Sequence, residues 1–276
     1  VNDTHALIDL AVSDNSVCAL DSNGEVWCAD ADHRPLTEVA ALPGLRVITR
    51  APGPSPQFCG LAISDSTAWC WSRTSDPAAV ASTSGLALLH VAVVAPGELY
   101  ACGLHVNGAA VCWGPGPLGN GTTASSAAPV DVSGEARFVD LAVGAGFACG
   151  LTSSGEVWCW GKDWQNGSAG APDVLVPTLA LTGADQIAAY DDFAGAITDA
   201  GLVAWQGAGF DASPIPGLTE ITGLDGLAVS GFAANSGSCL QLEDGQVYCW
   251  DAMWDASGSP SYARYTPVQP VSQGAP

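Results

Sequence analysis

The chain has 276 residues, 48% of them apolar, with 33 glycines and 18 prolines, enough for one large all-β domain with a substantial core. Charged residues make up only 13%, and they are lopsided, with 28 Asp and Glu against 7 Lys and Arg and a formal charge of −21. Such a surface repels nucleic-acid phosphates and anionic lipid, which excludes DNA and RNA as expected partners and leaves cations and basic protein surfaces.

Taken in order, the first predicted hairpin lies within Leu7 to Cys28, where Cys18 and Cys28 flank the turn Ser22-Asn23-Gly24. The second starts at Leu45 and sets Cys59 against Cys70; its turn, Ser64-Asp65-Ser66, lacks Gly, so a longer or bulged turn is expected. The third places Cys102 and Cys112 around Val106-Asn107-Gly108, and the Gly/Pro tract from Trp113 to Thr122 that follows must be a loop. The fourth, Leu141 to Gly161, is the clearest. Phe147 to Thr152 and Glu156 to Trp160 are apolar runs joined by Ser153-Ser154-Gly155, a three-residue connection that suits a type I turn followed by a left-handed Gly. Pairing Thr152 with Glu156 sets Cys149 opposite Cys159, and a cross-strand disulfide follows. In the fifth, Gly195 and Trp205 take the two cysteine positions around Asp199-Ala200-Gly201, so a large ring is expected to fill the space opposite a missing side chain. The sixth pairs Cys239 with Cys249 across Glu243-Asp244-Gly245.

Positions 28, 70, 112, 159, 205 and 249 are separated by 42, 42, 47, 46 and 44 residues, a period of about 45 that marks a propeller or solenoid. A lead strand precedes each hairpin, as in Leu10-Ala11-Val12 and Leu141-Ala142-Val143. A Pro-bearing segment follows it, as in Pro129 to Val132, Val176 to Leu179 and Pro267 to Val271. Closing the repeats into a ring removes exposed edges, so the expectation is one β-propeller domain of six four-stranded blades, with seven blades as the alternative. The repeats run over 1–44, 45–85, 86–134, 135–183, 184–217 and 218–276, six whole periods without truncation. Trp27, Trp69, Trp71, Trp113, Trp158, Trp160 and Trp250 recur on the second hairpin strand and are read as contacts between adjacent blades.

These residues resemble the repeat of the regulator-of-chromosome-condensation family of β-propellers, in a secreted, disulfide-bearing variant. The resemblance rests on Ala142-Val143-Gly144, Cys149-Gly150-Leu151, Gly155 to Gly161 and Leu118 to Thr122. It implies the propeller architecture rather than one activity, because such propellers serve as exchange factors, light sensors, enzyme inhibitors and secreted adaptors. The family's customary His before the hairpin Cys is replaced by Ser16, Gln57, Tyr100, Phe147, Phe193 and Gly237, and a basic surface suited to chromatin is missing. A nuclear exchange factor is therefore disfavoured.

The ten cysteines in five local pairs argue for an oxidising location: extracellular, cell-surface or periplasmic. Val1 to Leu10 lacks the basic start and apolar core of a signal peptide, and no apolar run reaches the roughly 18 residues of a membrane span, so a mature, non-spanning form is expected. Asn2-Asp3-Thr4, Asn120-Gly121-Thr122 and Asn166-Gly167-Ser168 fit the glycosylation pattern, with meaning only in a eukaryotic host. The four histidines, His5, His33, His90 and His105, have no zinc-ligand spacing. Asp30 with Asp32, and Asp191 with Asp192, are the densest carboxylate pairs and weak candidates for calcium (Ca2+); solvated loop acids are the default reading. No catalytic signature or cofactor motif stands out. The leading expectation is an exported, non-enzymatic protein-binding or assembly scaffold that presents rim loops, self-associating or binding a different protein. Trp164, Trp254, Tyr262 and Tyr265 are its candidate anchors. The alternatives are a propeller enzyme or ligand-binding protein using acidic residues at the channel mouth, and an inhibitor of a secreted enzyme.

Overall fold

The computed structural model describes residues 6–13, 16–30, 36–51, 57–72, 76–80, 83–95, 98–162, 172–190, 193–198, 201–206, 219–220, 229–233, 237–242 and 247–251. Sheet 1 consists of β1 (Leu7–Ser13), β2 (Ser16–Asp21), β3 (Val26–Asp30) and β4 (Thr37–Glu38). Sheet 2 follows with β5 (Leu45–Ala51), β6 (Gln57–Ala62), β7 (Ala68–Ser72) and β8 (Ala78–Ala79). Sheet 3 holds β9 (Leu86–Ala95), β10 (Glu98–His105), β11 (Ala110–Gly114) and β12 (Ser126–Asp131). Sheet 4 is β13 (Phe138–Val143), β14 (Phe147–Thr152), β15 (Val157–Gly161) and β16 (Val174–Leu181). Sheet 5 is β17 (Ala184–Tyr190), β18 (Phe193–Thr198), β19 (Gly201–Gln206) and β20 (Thr219–Glu220). Sheet 6 shows three strands among the described residues, β21 (Val229–Ala233), β22 (Gly237–Leu242) and β23 (Val247–Asp251). The segment Pro267 to Val271, expected as its fourth, lies outside the described residues.

In every sheet the strands follow chain order. The lead strands β1, β5, β9, β13 and β17 lie alongside one another from sheet to sheet and make the inner ring of a propeller. Each of these five carries a bulge close to its start; the register shifts between Leu7 and Asp9, Leu45 and Val47, Leu86 and Leu88, Phe138 and Asp140, and Ala184 and Gln186, and β9 has a second shift between Val93 and Ala95. A bulge adds twist and turns one side chain away from the sheet.

The hairpin of sheet 4 shows how residue types set register. The Thr152 N–H donates to the Glu156 carbonyl at 2.9 Å, and the Glu156 N–H donates back to the Thr152 hydroxyl at 3.1 Å. Gly155 sits between them at φ +80°, a conformation that costs a side chain dearly. In sheet 2 the matching bond runs from the Ala62 N–H to the Thr67 carbonyl at 3.0 Å. Four residues, Ile63 to Ser66, therefore form that turn, and Ser66 adopts φ +58° where sheets 1, 3 and 4 use Gly24, Gly108 and Gly155. Sheet 5 corrects one expectation. Thr198 pairs with Gly201, so Gly201 enters the strand, Gly195 stands opposite Ala204, and Trp205 stands opposite Ala194. A turn shorter by one residue slips the register by one. The cysteine-equivalent pair of sheet 5 is thus Gly195 and Ala204, not Gly195 and Trp205.

Disulfides join Cys18 to Cys28, Cys59 to Cys70, Cys102 to Cys112 and Cys149 to Cys159, with Cα separations of 4.1, 4.1, 4.1 and 4.0 Å. Such close pairs occupy non-hydrogen-bonded sites of an antiparallel ladder. In sheet 6 Cys239 stands opposite Cys249 in the same register position.

The two faces of a sheet serve different neighbours. In sheet 4 the bridge, with Leu151 and Val157, packs on Ala184, Ile187 and Ala196 of sheet 5. On the other face Trp160, Phe138 and Leu141 pack on Tyr100, Leu104 and Leu118 of sheet 3. The same division appears between sheets 1 and 2, where Trp71 lies in the seam, and between sheets 2 and 3, where Trp113 does. Main-chain bonds reinforce three of these joints. The carbonyls of Gly24, Gly108 and Gly155 accept the N–H groups of Leu45, Phe138 and Ala184, each the first residue of the next lead strand, at 2.9, 2.9 and 3.0 Å.

Candidate functional site

A groove of about 670 Å³ opens on the rim of sheet 4, between the linker Ser133 to Arg137, the turn Thr152 to Ser154 and the outer-strand residues Val176 and Pro177. Both ends of the linker are pinned by main-chain bonds. The Ser133 N–H donates to Gly119 O at 2.9 Å and the Phe138 N–H to Gly108 O at 2.9 Å. The linker is thus held by the inter-sheet joint itself.

Trp158 lies in this groove. It is half-buried, stands opposite Gly150 and Leu179, and packs on the seam between sheets 3 and 4. Its indole N–H is buried without a hydrogen-bond partner among the described residues. Gly150 is required behind it, because a Cβ there would come within 2.5 Å of Cδ1 of Phe138. Glu135, Glu156 and Arg137 line the same groove. Arg137 lies back on its own linker, its Nη1 donating to Ala136 O at 3.0 Å. The hydroxyls of Thr152 and Ser154 are 2.9 Å apart, and that of Thr152 also caps Glu156. They are engaged in closing the turn. A half-buried indole that shares a groove with two acidic residues suits a planar or cationic side chain from a partner.

The polar residues of the inner ring are tied to structure. The Asp9 carboxylate accepts the Ile48 N–H at 3.0 Å, joining sheet 1 to sheet 2. The Arg46 guanidinium donates to Leu86 O at 2.7 Å and Ala87 O at 3.1 Å, joining sheet 2 to sheet 3. Between sheets 3 and 4, His90 Nε2 lies 3.9 Å from Asp140 Oδ1. About a third of the His90 side chain is exposed, yet Nε2 itself is buried, and this burial lowers the imidazole pKa to about 4. Burial also raises the Asp140 carboxyl, offset in part by the Leu141 N–H that it accepts. The imidazole is therefore neutral at pH 7, and the two groups do not form an ion pair there.

The candidate anchors Trp164, Trp254, Tyr262 and Tyr265 lie outside the described residues, as do Asp32, Asp191 and Asp192. Asp30 ends β3, opposite Ser16. Among the described residues no three His, Cys, Asp or Glu side chains gather in a metal-sized cluster, and no helix is long and apolar enough to cross a membrane. The groove over Trp158 was not anticipated from residue order. Its one sequence signal is the Trp opposite a Gly in the Cys-Gly-Leu strand, shared by Trp69 and Gly60.

Residues 138–167 match the regulator of chromosome condensation (RCC1) repeat. They begin at β13, take in the Cys149–Cys159 hairpin, and cover the first three strands of sheet 4. The fold is that of a β-propeller, and its fourth repeat is similar to the RCC1 repeat. Solved structures agree in fold. Human WBSCR16 superposes with a TM-score of 0.70 at 13% identity, covering 91% of this chain and 78% of that one. Yeast RCC1 (Prp20), in its structure with Kap60, gives 0.62 at 17% identity over 84% of this chain and 65% of that one. The CRINKLY WD40 ectodomain of the Arabidopsis thaliana receptor kinase ACR4 gives 0.57 at 17% identity over 98% and 100%. The chain thus spans just under two thirds of the yeast protein and the whole of the plant ectodomain. No curated protein matches the sequence.

Proposed function

We propose that this propeller is an exported, non-enzymatic protein-binding module that receives a partner on its rim, with the groove over Trp158 as the contact. The carrying observation is that groove, lined together by Trp158, Glu135 and Glu156 and set on a sheet stapled by a buried disulfide. Rigid supports lower the ordering cost of binding, and exposed rim segments are where variation is tolerated. Two resemblances support the reading. The yeast neighbour is seen bound to another protein, Kap60, and the plant neighbour is the ectodomain of a receptor kinase. Four bridges fit the oxidising conditions of the cell exterior or periplasm.

The test is affinity capture from the native extracellular fraction with the wild-type chain and with the surface variants Glu135→Lys and Ser153→Arg, both at exposed positions. A partner retained by the wild type and lost by at least one variant is the expected result. Equal recovery by all three, or none by any, would remove the groove from the function.

A further inference from the structure

The groove on the rim of sheet 4 is rich in hydrogen-bond acceptors and short of free donors. The Thr152 hydroxyl accepts the Glu156 N–H at 3.1 Å and stands 2.9 Å from the Ser154 hydroxyl, and Ser154 Oγ donates in turn to Glu156 Oε2 at 3.4 Å. Both hydroxyl protons are thereby directed within the turn. Arg137 is the one cationic residue lining the groove; it donates to Ala136 O of its own linker and pairs with neither glutamate. Glu135 is exposed and makes no hydrogen bond or ion pair among the described residues. Two carboxylates therefore share the groove with a half-buried indole and lack a cation of their own.

Recognition through the backbone is poorly served at this place. Pro177 has no N–H, the Val176 carbonyl accepts the Thr178 hydroxyl at 3.2 Å, and the Leu175 carbonyl accepts the Gly121 N–H at 2.7 Å. A partner strand adding to the edge of a sheet needs a run of free N–H and C=O groups, and β16 does not offer one beside the groove. Side chains must carry the contact.

We propose that the groove takes an arginine side chain from a basic, extended segment of the partner, stacked on Trp158 and paired with Glu135 and Glu156. A guanidinium is flat, permanently charged, and carries donors without an acceptor, which is the converse of what the groove supplies. A lysine ammonium brings the charge without the flat face. The formal charge of −21 draws such a segment toward the molecule, and the groove selects within it. Sheet 2 marks the limit of the site: Trp69 stands opposite Gly60 as Trp158 stands opposite Gly150, but Thr67 takes the place of Glu156 ahead of that strand. The inference rests on the groove being the protein contact and adds what the partner presents to it.

The experiment is fluorescence anisotropy of labelled Gly/Ser peptides that differ only in carrying Arg, Lys, citrulline or Glu, titrated with the full chain at low and moderate salt. The expected order is Arg first and Lys about tenfold weaker, with the neutral citrulline and the Glu peptides unbound, and with Arg binding falling as salt rises. Glu135→Gln and Glu156→Gln should each weaken the arginine peptide about threefold or more, and Arg137→Gln, which removes a competing cation, should tighten it about threefold. Glu38→Gln removes the same charge from an exposed position on sheet 1 and should change nothing. Four outcomes overturn the proposal: no binding of the arginine peptide, equal binding of the arginine and citrulline peptides, a loss with Glu38→Gln as large as with Glu156→Gln, or weaker binding in Arg137→Gln. Partner capture lost with Ser153→Arg but insensitive to Glu135→Gln and Glu156→Gln would keep the groove as the contact and discard the arginine. Arginine selectivity without any captured partner would do the reverse, so the two readings fail separately.

Discussion

A methyl group added at Gly155 would meet two separate penalties. Its φ of +80° is disfavoured for any L side chain, and the new Cβ would lie 3.1 Å from Ala184 O, at the main-chain joint to the next sheet. Gly116 offers a control, with φ +82° and nothing within 4 Å. Gly116→Ala should cost about 1 kcal/mol from backbone conformation alone, and Gly155→Ala about 1–2 kcal/mol more. Urea unfolding of the two variants measures the difference, and equal losses would show that the joint contributes nothing. His90 supplies a test of sign. Its folded pKa, about 4, lies below the ordinary 6.5, so the unfolded chain binds the extra proton between those values. Stability from this residue is therefore complete above pH 6.5 and falls as pH drops toward 4. Asp140, raised by burial, acts in the opposite direction, and lowering pH also relieves repulsion among the acidic residues. The informative quantity is thus a comparison: between pH 7 and pH 4.5, His90→Gln should lose less stability than the wild type in matched urea titrations.

At the level of elements, the hairpin with its bridge is the repeated unit. Each bridge closes a loop of about eleven residues, worth roughly 2.5 to 3 kcal/mol in the chain-entropy model. Replacing Cys149 and Cys159 together by Ala should remove about that much stability. The variant's unfolding midpoint should then respond less to reductant than the wild type's; a midpoint unchanged by the double substitution would contradict a structural role for the bridge. Sheet 5 has no bridge at this level, since Gly195 and Ala204 occupy those positions. Much of this was readable from residue order. In sheet 4 the turn Gly and the symmetric spacing of Cys149 and Cys159 determine which residues face each other, because a ladder of period two admits one register. The same rule misplaced Trp205. A Gly at the end of a candidate turn can be turn or strand, and in sheet 5 Gly201 pairs with Thr198. The rim groove was out of reach for another reason. Glu135 and Arg137 belong to a linker without periodicity, and only the bonds to Gly108 and Gly119 carry them beside Glu156 and Trp158. Contacts between repeats leave no local pattern in the chain.

For the whole molecule, the period of about 45 residues was enough to foresee a ring of sheets, since each unit has two apolar faces that only like neighbours can cover. The outer strands could not be foreseen in the same way. β12 and β16 have six and eight residues while β4, β8 and β20 have two each, so among the described outer strands the longest belong to sheets 3 and 4, where the groove lies. The connection from a turn Gly carbonyl to the first N–H of the following lead strand uses no side chain at all. A fastening made of backbone is indifferent to which unit comes next. Units could therefore be duplicated, deleted or shuffled during evolution without a matched change in the adjoining one, leaving surface loops free to diverge while the ring keeps its form.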